Sequence, residues 1–140
     1  MVEYLLLKNE VELPDISNLR PYRAVVVIEK QVSQEWQNKI SDWLVQTGCL
    51  FMMAWGIKCS TWDDSVDWAL LDEFNFKEIP EESNIMTSWH EDESLEEVFS
   101  FAKKCVHDNG SPDVVLKDTL ILHIGDSNRE DQFKEMFNDA

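Results

Sequence analysis

The chain reads as an α/β protein: a four-stranded, mainly parallel sheet in a small three-layer sandwich, with helices on both faces. Three observations predict this. Apolar runs of strand length alternate with stretches of helical period; the first run, Ala24-Val25-Val26-Val27-Ile28, has the unbroken β-branched character of a strand buried on both faces; and no hairpin signal joins successive runs. Right-handed crossovers between parallel neighbours then place helices on both sides of the sheet. The strand order expected is 2-1-3-4.

The elements follow in order. Residues 1–22, with Tyr4-Leu5-Leu6-Leu7 and the prolines Pro14 and Pro21, read either as an N-terminal edge strand or as an arm. The regular pattern starts at Arg23, and the first strand ends at Glu29-Lys30. Ser33 caps a helix carrying Trp36, Ile40, Trp43 and Leu44 on one face, and Gly48 supplies its left-handed stop. Cys49 to Trp55 is the second strand, broken at Gly56. A second helix starts at Thr61 or Asp63, with Trp62, Val66, Ala69, Leu70 and Phe74 as its buried stripe. Pro80 closes that region, and Asn84 to Trp89 is the third strand. Ser94 with Glu97 forms a capping box for a helix with Leu95, Val98, Phe99, Ala102, Cys105 and Val106 inward, and Asn109-Gly110 and Pro112 turn the chain out of it. Thr119 to Ile124 is the fourth strand. Ser127 with Glu130 is a second capping box, opening a last helix on Phe133, Met136 and Phe137. With no linker or low-complexity stretch, residues 1–140 read as a single domain.

Composition narrows the function classes. A hydrophobic fraction of 44% with 11% aromatic residues is globular, not a solvated acidic tail. Twenty-eight acids against 12 bases give a net charge of −16, which repels nucleic acid and anionic membranes and favours a basic protein partner. Three cysteines, Cys49, Cys59 and Cys105, have no metal spacing and an odd count, as expected of reduced thiols in a cytoplasm. The N-terminus does not read as a signal peptide, and no apolar run approaches the roughly 20 residues of a membrane span. Oligomeric state is not readable.

The charge is unevenly placed. Thr61 to Glu97 holds thirteen acids and one base, Lys77, so this window carries −12 of the −16. Acids between the apolar positions of a helix are commonly a solvated face. That reading leaves the asymmetry unaccounted for, because clustered acid repels itself and Glu91-Asp92-Glu93 followed by Glu96-Glu97 exceeds what a helix N-terminus needs. Trp62, Trp68 and Trp89 lie in the same window. Trp62 falls on the apolar stripe and reads as core, whereas Trp68 is the best candidate for an exposed anchor.

Catalytic readings come from the carboxyl ends of the strands, where parallel sheets place their sites. Cys59, His90 and Asp63 have the residue types of a thiol nucleophile, its base and an orienting carboxylate, without any local signature. His90, Glu91, His123 and Asp126 offer zinc or manganese ligands but lack helical i, i+4 spacing, and His123 reads equally as a hydrogen-bonded core residue. His107 lies near a helix C-terminus, where a partly positive imidazole is favoured. Glu29, Asp63, Asp64 and Asp126 offer a magnesium cluster, yet with four glycines and no phosphate-cradling loop, nucleotide chemistry is disfavoured. No cofactor and no bound metal are expected.

In size, charge and inferred compartment the chain resembles the acidic immunity proteins that bacteria make to neutralise cationic toxins, notably nuclease toxins of interbacterial competition. The resemblance implies a cytoplasmic inhibitor whose acidic face covers a toxin's basic surface, and it assigns no residue. The expectation is therefore an acidic protein-binding module. Its binding face is Asp63, Asp64, Asp67, Trp68, Asp72, Glu73, Glu91, Glu93, Glu96 and Glu97, with a small α/β enzyme using Cys59, His90 and Asp63 as the alternative.

Overall fold

In the computed structural model, which describes residues 1–105 and 114–140, five parallel strands form one sheet: β1 (Val2–Leu7), β2 (Tyr22–Ile28), β3 (Cys49–Gly56), β4 (Met86–His90) and β5 (Asp118–Ile124). The α/β class and the helix-flanked parallel sheet are as the sequence predicts. The helices are α1 (Gln34–Thr47), α2 (Ser60–Glu73), α3 (Leu95–Lys104) and α4 (Glu130–Asp139). All seven residues of β2 are buried, which explains the unbroken apolar run: β2 is central, with β5 and β3 on either side.

Of the two readings of residues 1–22, the edge strand holds: residues 2–7 pair with β5 from Val2 opposite Thr119 to Leu7 opposite Ile124, which adds a fifth strand to the four expected. The strand order is corrected. The order is β1-β5-β2-β3-β4; the four strands expected from the sequence therefore stand 4-1-2-3 and not 2-1-3-4. The reason lies in the helix stripes. Trp36, Ile40 and Trp43 of α1 share one core with Trp62, Val66 and Leu70 of α2, so both helices cover the same face and the chain steps outward from β2 through β3 to β4. Val98, Phe99 and Ala102 of α3 join Phe133 and Phe137 of α4 in the core of the opposite face, and α3 carries the chain back past β3 and β2 to β5.

Local details follow their residues. Ser33 accepts the Trp36 N–H, and Gly48 ends α1 at φ 98°. Gly56 is required after β3, because a Cβ there would lie 2.1 Å from the Ile28 carbonyl oxygen and its φ is 110°. Ser94 accepts the Glu97 N–H at 3.2 Å, as predicted. Ser127 does not cap α4; the Asn128 side chain accepts the Glu130 N–H at 2.9 Å. The inward positions Trp62, Val66, Ala69, Leu70, Leu95 and Cys105 are buried as expected, and Phe74 is half-buried. Val106, His107, Asn109, Gly110 and Pro112 lie outside the described residues. No helix among the described residues is long and apolar enough to cross a membrane.

Candidate functional site

Helix α2 has two unlike sides. Its period turns Trp62, Val66 and Leu70 into the core and leaves Asp64, Asp67, Trp68 and Asp72 exposed, with Asp63 half-buried and accepting the Thr87 hydroxyl. Asp63, Asp64, Asp67, Asp72 and Glu73 make no ion pair among the described residues. Carboxylate oxygens of Asp63, Asp64 and Asp67 lie within 4.8 Å of one another. Partial burial, and then the charges of Asp63 and Asp64, hold the Asp67 carboxyl above its usual range.

A groove of about 600 Å³ runs between α1 and α2. Asp42 and Asn38 line it from α1, Asp64, Trp68 and Asp72 from α2, and Phe76 from the segment that follows. Its floor is a polar seam in which the Gln37 amide donates to Ser65 Oγ at 2.8 Å and to Thr61 Oγ1 at 3.2 Å. Asp42 is held above the usual carboxylate range by burial first and by Asp72 second. Trp68 is 64% exposed and Phe76 59%, and their rings meet edge to face with centroids 6.1 Å apart.

The end of α2 explains how Phe76 arrives there. The Phe76 N–H donates to the Leu71 carbonyl at 2.8 Å and the Asn75 N–H to the Asp72 carbonyl at 3.0 Å, the two bonds of a Schellman motif. Asn75 takes the left-handed position at φ 53°, and Phe76 follows at φ 59°. For a bulky residue such as Phe that conformation costs on the order of 1–3 kcal/mol. The exposed ring regains little of this by burial.

The remaining predicted acids sit elsewhere. Glu91 and Glu93 lie in the turn after edge strand β4, and Glu96 and Glu97 in the first turn of α3, which covers the other face of the sheet from α2. Part of that charge is structural: Glu93 pairs with His90 Nδ1 at 3.0 Å, its carbonyl accepts the Trp55 indole N–H at 2.8 Å, and Glu96 and Glu97 face the N-terminal dipole of α3. Trp89 is 46% exposed on β4, and Trp62 is core.

The catalytic sets are not assembled. Cys59 is buried in the core beneath α1 and α2, whereas the His90 ring lies on the opposite face, 5.3 Å from the ring of Phe101, with Nε2 2.9 Å from Ser88 Oγ. The sheet separates thiol from imidazole. His90 and His123 stand on β4 and β5, three strand spacings or roughly 14 Å apart. Of the magnesium set, Glu29 and Asp126 are held by Arg129 and Lys30 respectively, and only Asp63 and Asp64 are neighbours.

The strand order reverses between β2 and β5, the place where such sheets usually bind ligands. Here it is filled by the protein's own side chains. His123 is fully buried, with Nδ1 2.6 Å from the Tyr4 hydroxyl and Nε2 against Glu29, and Glu29 also takes Arg129. The Arg129 N–H donates to the Tyr4 oxygen at 3.1 Å. Burial, the largest influence, raises the Tyr4 hydroxyl above its ordinary range, with that N–H opposing it. Lys30 donates to Asp126 at 2.8 Å and lowers its carboxyl. The network ties β1, β2, β5 and α4 together. Tyr4 and Arg129 had no sequence signal; Gly125 stood out only as the glycine of the last strand-to-helix loop, and a Cβ there would fall 2.6 Å from His123 Nε2.

Fold and surface together define a small acidic α/β protein, built on a parallel sheet closed at its switch point, with a row of carboxylates unpaired among the described residues along the outer side of α2. The chain belongs to the family described as a domain of unknown function, DUF7684, whose model matches residues 2–140. No curated protein and no solved structure matches it.

Proposed function

We propose that this protein is a non-catalytic, cytoplasmic binding module that docks a basic protein through the outer side of α2. It acts as an inhibitor of the immunity-protein kind, with a cationic nuclease toxin as the most concrete partner. One observation carries the reading: the acids of α2 have no cationic partner among the described residues, yet they surround an exposed tryptophan. Such a face stores repulsion that a basic surface relieves, and it speeds encounter with that surface, as an inhibitor that must outrun a toxin requires. The buried cysteines, with no disulfide among the described residues, suit a reducing compartment.

The test is capture from the source cells at low salt, with wild type beside a variant carrying Asp64→Asn, Asp67→Asn and Asp72→Asn. None of these three carboxylates makes a hydrogen bond or ion pair among the described residues that the fold would lose. Wild type should retain a basic protein and release it in a salt gradient, and the variant should not. Equal retention by both proteins, or none by either, sinks the proposal.

A further inference from the structure

We infer that the groove between α1 and α2 is a receptor for an arginine side chain projecting from the basic partner. This rests on the reading of α2 as a binding face, and it assigns the recognition to a particular place and chemistry.

The lining selects a cation. Asp42, Asp64 and Asp72 come from two helices, no lysine or arginine lines the groove, and these three carboxylates make no ion pair among the described residues. Asp42 lies outside the acid-rich stretch of the sequence and joins the others only through the packing of α1 on α2. It shares with Asp72 a repulsion that an entering positive charge removes.

The aromatic pair selects the kind of cation. Trp68 and Phe76 are the two most exposed aromatic side chains of the described residues, and they line the same groove. An indole face binds a cation best when the cation is planar and weakly hydrated, as a guanidinium is, and the same guanidinium forks two N–H groups onto a carboxylate. Asp64 and Asp72 lie four residues to either side of Trp68, so α2 presents both on the side that carries the ring. An ammonium gains the charge attraction but not the stacking or the fork. A volume of about 600 Å³ open to solvent admits a side chain together with the segment that bears it.

The experiment uses the full chain and two labelled probes of equal charge, hexa-arginine and hexa-lysine peptides, with binding read by fluorescence anisotropy at low salt. Wild type should bind the arginine peptide roughly tenfold more tightly, from a cation–π and stacking advantage of that order. Trp68→Ala should bring both peptides to the lysine level, and Trp68→Phe should restore part of the difference. Because Trp68 is 64% exposed, both variants should melt within a few degrees of wild type. Equal affinity for the two peptides, or an arginine preference that survives Trp68→Ala, overturns the arginine groove and leaves the acidic-face reading standing. Failure of wild type to bind either peptide overturns both.

Discussion

Asp67→Asn should make the protein more stable. Asp67 stands three residues after Asp64 and four after Asp63, so it has a like charge at both neighbouring positions on the helix surface, and it makes no ion pair among the described residues in return. Like-charge pairs at these spacings each cost about 0.2–0.5 kcal/mol, so removing the charge returns about 0.4–1 kcal/mol. For a chain of this length that is a rise in Tm of up to about 4 °C. The pH sign follows from the raised carboxyl. The folded state holds this proton more firmly than the unfolded chain, so the protonated side chain favours folding fully below the ordinary aspartate range, and that contribution is lost as pH rises through the raised folded value. Variant and wild type should therefore differ at pH 7 and converge at acid pH. Salt at about 1 M, where the screening length is roughly 3 Å, should also narrow the gap. Urea melts of both proteins at low and high salt measure it. A variant equal to or less stable than wild type at pH 7 and low salt would show that the α2 carboxylates do not repel one another, and the account of α2 would fail.

The other predictions concern the fold and the rejected chemistry. His123→Ala leaves the Tyr4 hydroxyl and Glu29 without their buried partner and opens a cavity, so denaturant melts should show a loss of about 3 kcal/mol. Gly125→Ala pushes a methyl into His123 Nε2 and should cost about 1–3 kcal/mol; Gly56→Ala meets backbone at 2.1 Å with φ 110° and should cost more. All three thiols are buried, and burial pushes Cys49 up to about 12, so iodoacetamide at pH 7 should alkylate native protein at least about a hundredfold more slowly than protein in urea. A fast native reaction at Cys59 would revive a nucleophilic role for it.

What the sequence discloses depends on how locally it is encoded. β2, the stripes of α1, α2 and α3, and the exposure of Trp68 follow from period and β-branched runs, because burial on one or both faces writes itself into consecutive residues. The strand order does not, since it depends on which face each helix covers, and the stripes of α1 and α2 look alike whichever face receives them. β1 was ambiguous because an edge strand is only half-buried and its partner lies more than a hundred residues away. The candidate site divides the same way. The acids of α2 are legible as a charge run, but Asp42 joins them through packing, and Phe76 through a Schellman turn, with Asn75 in the left-handed position, that helical period does not encode. Cys59 and His90 looked adjacent because strand ends converge on one rim; Cys59 enters the core of one face where α2 begins, whereas the pleat of β4 turns His90 to the opposite face.

The most direct test of the central claim is the salt dependence of affinity for the basic protein recovered by low-salt capture, compared between wild type and the Asp64→Asn, Asp67→Asn, Asp72→Asn variant. If the outer side of α2 is the interface, wild-type Kd rises steeply with salt, and the variant binds at least about tenfold more weakly at low salt with a shallower slope. The same affinity and the same slope for both proteins would place the interface elsewhere and reduce the charge of α2 to solvation.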